Sequence, residues 1–75
     1  MSGRNLKEIE PGQKAKVIKI TGSGPIRRRI MDMGLVIGSE IEMERYAPLG
    51  DPVEIKLKGY HLSLRKDEAE NILIQ

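Results

Sequence analysis

The side chains best equipped for chemistry lie in one short stretch. His61, the single histidine, and Ser63 stand two apart in Tyr60-His61-Leu62-Ser63-Leu64, and Glu54 belongs to the preceding run Val53-Glu54-Ile55-Lys56-Leu57. In both runs apolar and polar residues alternate with the period of two that marks a strand buried on one face. Lys58-Gly59 between them reads as a two-residue hairpin loop, with Gly59 supplying the positive φ such a loop wants. Leu57 then faces Tyr60, Ile55 faces Leu62 and Val53 faces Leu64, so every apolar residue falls on one side. The same register sets Glu54 opposite Ser63 and Lys56 opposite His61 on the outer side. A nucleophile, a base and an orienting carboxylate are thereby drawn near one another. Catalysis also needs a water-excluding cleft and donors for a developing oxyanion, for which a chain of 75 residues has no obvious room. The expectation is a solvated strand face and no enzyme.

A metal site is the next chemistry to weigh. His61 and Glu54, with Glu42 or Glu44 from a neighbouring strand, offer an imidazole and carboxylates of the kind that suits Fe²⁺. One histidine and no cysteine make a weak, water-rich donor set, and Glu42 and Glu44 have basic side chains to pair with. Fe(II) is therefore a weak candidate ligand, and no cofactor is required. Asp51 is expected to bond its own backbone in a turn.

Two features read as contact surfaces instead. Arg27-Arg28-Arg29 falls on the outer side of a helix, with Asp32 partly offsetting the charge and Met31 between the two faces. A nucleic-acid patch is disfavoured by the formal net charge of only +2 and the lack of stacking aromatics. Docking to an acidic partner would use arginines for bidentate contacts and steering. Leu49 sits at the tip of Ala47-Pro48-Leu49-Gly50-Asp51-Pro52, a loop stiffened so that presenting it costs little ordering entropy, with Tyr46 at its base. Leu49 is either a partner anchor or a plug over the open end of the core.

The elements that must position these groups follow from the rest of the chain. Residues 1–75 form one domain, which at this length buries only about 60% of its unfolded surface. There are no disulfides, and the core is aliphatic because Phe and Trp are absent. Met1–Asn5 should be frayed, and Leu6 and Ile9 are spaced as a short amphipathic turn stopped by Pro11-Gly12. Residues 14–20 read as the first strand, with Ala15 and Val17 facing one way, Ile18 and Ile20 the other, and a bulge between. Pro25 opens a helix at its first position, with Ile26, Ile30 and Met33 as its apolar stripe and Gly34 as its left-handed cap. Glu40 to Tyr46 reads as a second strand, Asp67 and Glu68 as the acidic start of a helical turn, and Ile72 to Ile74 as a last strand. The result is a mainly β, closed small barrel of five short strands, with one helix between strands 1 and 2 and a helical turn before the last. An SH3-like barrel fits best, and an oligonucleotide-binding barrel is the alternative. No signal peptide and no apolar run of roughly 20 residues is evident, so the expected location is cytoplasmic without membrane insertion.

The run Arg28-Arg29-Ile30-Met31-Asp32-Met33-Gly34-Leu35, then Gly38, Ala47-Pro48-Leu49-Gly50-Asp51-Pro52, Gly59, Leu62-Ser63-Leu64-Arg65 and Glu68-Ala69, resembles the FeoA family from about Leu6 to Ile74. One departure is Ile37, which stands where members commonly carry proline. The resemblance implies a small cytoplasmic SH3-like barrel that assists bacterial ferrous-iron uptake. Its implied partner is the cytoplasmic GTP-binding domain of the membrane transporter FeoB, with no nucleic acid involved. Leu49, Tyr46, Arg27, Arg28 and Met31 are then the candidate docking residues. The alternative it implies is a metal-responsive regulatory domain, since a related barrel forms the C-terminal domain of some metal-dependent repressors.

Overall fold

With Phe and Trp absent, aliphatic side chains at alternate strand positions must all converge on a shared interior. The computed structural model describes residues 4–75 and shows how they do so. The strands are β1 (Arg4–Asn5), β2 (Lys14–Ile20), β3 (Glu40–Tyr46), β4 (Val53–Leu57), β5 (Tyr60–Leu64) and β6 (Ile72–Ile74). The helices are α1 (Gly24–Asp32) and α2 (Lys66–Glu70), and a 3-10 turn spans Leu6–Glu8. Every pairing is antiparallel, and the strand order is β1-β6-β2-β3-β4-β5.

Two expectations about the sheet change. Arg4 and Asn5, read as frayed, pair with Ile74 and Leu73 and add a sixth strand; Met1–Gly3 lie outside the described residues. Among the described residues the ladder ends at β1 and β5, so it is not closed by hydrogen bonds there. Curvature comes from bulges, which bend a strand and increase its twist. The bulge expected near Ile18 is present: Lys14–Lys16 pair with β3, and from Val17 onward the strand pairs with β6. Val17 is buried and Ile18 is exposed, and beyond the bulge Ile20 pairs with buried Ile72 and packs on the core. A second register shift at Glu44 separates the Met43–Ile55 pair from the Arg45–Glu54 pair.

The β4–β5 hairpin has the expected register at every position, and Lys58 joins Gly59 at positive φ (52° and 86°). Val53, Ile55, Leu57 and Leu64 are buried, whereas Tyr60 at the hairpin end is 69% exposed despite facing the same way. Helix α1 begins one residue earlier than expected. Ser23 is its N-cap, accepting from the Ile26 N–H at 3.5 Å, and Pro25 takes the second position. Ile30 and Leu35 are fully buried, and Ile26 and Met33 pack beside them. Leu6 and Ile9 are buried too, so the 3-10 turn closes the end of the core near α2.

Candidate docking face and outer strand face

The β3–β4 loop is fastened at its base by two backbone bonds. Gly50 N–H donates to Ala47 O at 2.7 Å, closing the expected turn, and Ala47 N–H donates to Pro52 O at 3.0 Å. Leu49 at the tip is 95% exposed, so it does not plug the core. Burying such a side chain against a partner is favourable by roughly 1.5–3 kcal/mol if complete, and the fastened loop loses little freedom in presenting it.

Tyr46 holds the base of this loop. Its hydroxyl donates to Lys7 O at 2.8 Å, with Ile9 O and Leu6 O also in reach of its one hydrogen. Burial pushes its pKa above the ordinary 10.0. Tyr46 therefore fixes β3 to the 3-10 turn, and its polar group is already engaged within the fold.

Asp51 does not bond within its own turn. Its Oδ1 accepts from Lys66 N–H at 2.9 Å, the first residue of α2. Glu68 Oε1 accepts from Arg65 N–H at 2.9 Å, and its side chain is only 4% exposed. Glu68 Oε2 lies 3.1 Å from Arg29 Nη2, yet it has no aligned hydrogen-bond donor, so this contact is an ion pair without a hydrogen bond. Arg29 is thus bound into the fold, while Arg27 and Arg28 are exposed. With Met31, Gly24 and Asp32 they line an open concavity of about 330 Å³. The structure therefore brings Arg27, Arg28 and Met31 together. The Leu49 loop and α1 both reach the first turn of α2, through Asp51 and Arg29 respectively.

The burial of Glu68 was missed from sequence. A glutamate three residues after a helix N-cap is a capping-box signal, but the N-cap here is Arg65 rather than the usual serine or threonine.

On the outer strand face, His61 Nδ1 lies 2.8 Å from Glu44 Oε1. Glu54, expected to join His61, instead meets Arg45 at 3.4 Å. The bulge at Glu44 changes which carboxylate His61 meets. Ser63 stands opposite Glu54 as expected, but His61 is turned toward Glu44. Among the described residues no three His, Cys, Asp or Glu side chains gather as metal ligands. His61 and Glu44 alone are an incomplete donor set for Fe²⁺.

The family model for the FeoA domain matches residues 4–75. The chain is 37% identical over 70 residues to an Fe(2+) transport protein A/Fe(2+) transporter FeoB fusion protein of Porphyromonas gingivalis (strain ATCC BAA-308 / W83), covering 93% of this chain and 8% of that protein. A solution structure of a FeoA-like protein from Clostridium acetobutylicum is 51% identical, with a TM-score of 0.91 over 100% of this chain and 87% of that one. The zinc complex of Stenotrophomonas maltophilia FeoA, described as a prokaryotic SH3 domain protein, is 25% identical, with a TM-score of 0.79 over 95% of this chain and 88% of that one. The alternating strands, the Arg-bearing helix and the fastened loop are thus those of a small SH3-like fold, and the chain belongs to the FeoA family.

Proposed function

We propose that this chain is a cytoplasmic, non-enzymatic accessory of bacterial ferrous-iron uptake that docks on the cytoplasmic GTP-binding domain of the FeoB transporter. The observation that carries this reading is Leu49, an aliphatic side chain 95% exposed on a loop that folding has already ordered. Two further points support it. A relative carries transport protein A and FeoB in one chain, and such a joint holds the two parts at high effective concentration near each other. Arg27, Arg28 and Met31 add exposed guanidinium groups and an adaptable apolar side chain, a pairing suited to an acidic partner with an apolar pocket. Docking alters transport only by favouring one transporter conformation, so the chain must bind one state more tightly than another.

The test is a backbone amide NMR titration with the isolated GTP-binding domain, run beside an anaerobic Fe²⁺ series. Shifts confined to residues 46–52 and α1 on adding the domain, abolished by Leu49→Asp with the spectrum otherwise retained, are expected. Saturable broadening at His61 and Glu44 with Fe²⁺, and silence with the domain, would replace docking with a metal-responsive role.

A further inference from the structure

The end of the fold remote from Leu49 carries a second unexplained surface. In the α1–β3 connection Val36 N–H donates to Ser39 Oγ at 3.0 Å, Ser39 N–H to Val36 O at 3.0 Å and Gly38 N–H to Val17 O at 2.7 Å. Gly38, at φ 96°, takes the third place of this turn, as type II geometry requires, which leaves Ile37 on the outer corner. Ile37 is 67% exposed and Val36 48%. An aliphatic pair at a turn corner adds nothing to the core. Lys16 and Lys58 flank it in one open concavity of about 470 Å³. An adjoining concavity of about 570 Å³ adds Lys14, Lys56 and Glu42, with Glu40 shared.

Four lysines here face two glutamates, and among the described residues none of the six joins an ion pair. Lys58 also stands at φ 52°, where glycine or asparagine would sit with less strain. Lysines that join no ion pair among the described residues, set beside an exposed isoleucine, suit a ligand that is negative and apolar at once.

We propose that this end rests on an anionic lipid bilayer, with Ile37 and Val36 entering the headgroup boundary and the lysines meeting lipid phosphates. Lysine, a hydrated point charge, suits a diffuse anionic surface, and the patch has none of the arginine forks that favour discrete carboxylate partners. Tyr60, exposed at the same hairpin, is the amphipathic type found at headgroup level. The contact is peripheral, since no helix among the described residues is long and apolar enough to cross a membrane. Seven residues of β3 at about 3.3 Å each put this end about 20 Å from the Leu49 loop, so both surfaces are available together.

The test is co-sedimentation of the full chain with vesicles of phosphatidylglycerol mixed into phosphatidylcholine, and of phosphatidylcholine alone, at low and physiological salt. Salt-sensitive binding to the anionic vesicles only is expected. Lys58→Asn should weaken it about fivefold, the effect of one lysine near such a surface, with no fall in melting temperature because asparagine accepts positive φ. Ile37→Asp should remove most binding, and Lys66→Asn, the same charge change at the Leu49 end, should leave it unchanged. Absence of binding to anionic vesicles at low salt would overturn the proposal. So would equal losses from Lys58→Asn and Lys66→Asn, or a Lys58→Asn effect seen only with the GTP-binding domain, which would mark an acidic protein surface. The vesicles hold no transporter, so this outcome is independent of the docking test.

Discussion

Replacing Arg29 with methionine separates an arginine that holds the fold from two that do not. Arg29 Nη2 lies 3.1 Å from Glu68 Oε2, the arginine side chain 58% exposed and the glutamate 4%. Fully exposed ion pairs contribute about 0–1 kcal/mol, whereas removing one partner from a buried charge costs about 3–5 kcal/mol. More than half of the Arg29 side chain is in water, so the expected loss lies near the lower range, about 1.5 kcal/mol after discounting for screening. Methionine and arginine have similar helix propensity, so the helix itself is little changed. In a domain this size the loss lowers the melting temperature by about 6–12 °C. Arg27→Met and Arg28→Met, at exposed positions, should stay within about 0.5 kcal/mol of the parent. Glu68→Gln keeps an acceptor for Arg65 N–H but removes the charge, and in that background Arg29→Met should cost under about 0.5 kcal/mol. Urea titration followed by far-ultraviolet circular dichroism measures all five variants. An Arg29→Met loss equal to that of Arg27→Met, or unchanged when Glu68→Gln is already present, refutes the reasoning.

Tyr46→Phe removes the donor shared by Lys7 O and Ile9 O and should destabilise by about 1–2 kcal/mol at neutral pH in the same assay. Because burial raises the Tyr46 pKa, its contribution is whole below the unfolded value near 10.0 and is lost as pH rises through the folded one. Urea midpoints taken into alkaline solution should therefore fall for the parent by a component absent in the phenylalanine variant. Gly22→Ala sets a Cβ 2.9 Å from Asn71 Cγ at φ 97°, disturbing the Thr21–Asn71 hydrogen bonds, and should cost about 2 kcal/mol by thermal melting. Leu49→Asp should change stability by less than about 0.5 kcal/mol, since its side chain leaves no core contact behind.

Where one local rule decided an element, the sequence was enough. Period-two alternation and Lys58-Gly59 gave the whole β4–β5 register, and Gly34 at φ 96° ends α1 as its position implied. The misses came from contacts between distant segments. Arg4–Asn5 has no strand signal of its own and pairs because β6 offers it an edge. Asp51 looked like a turn residue, and only the fold brings the start of α2 to it, 15 positions along the chain. His61 found Glu44 rather than Glu54 because the Glu44 bulge realigns one strand against the next, and alternation carries no information on bulges two strands away. For the proposed docking residues, type and exposure were partly legible. Leu49 could be read as tip or plug until its 95% exposure decided it.

Size limits what either proposed surface achieves alone. A stable protein contact takes about 800 Å² from each partner, roughly one-sixth of the 4918 Å² that the described residues expose. One loop with a single aliphatic anchor, and a helix face with two exposed arginines, reach that area only if the residues between them join in. The Leu49–α1 contact should therefore be weak in dilute solution. The proposed second contact at the opposite end, if made to the membrane that holds the transporter, would change this without adding any contact to the first. Confinement to the bilayer surface raises the effective concentration of one protein near the other, and the two affinities then multiply. The P. gingivalis relative achieves the same proximity by a covalent joint to FeoB. On the two proposals made above, covalent fusion and a lipid-facing lysine–isoleucine edge would be two solutions to one problem, keeping a small adaptor beside a membrane protein that it binds weakly.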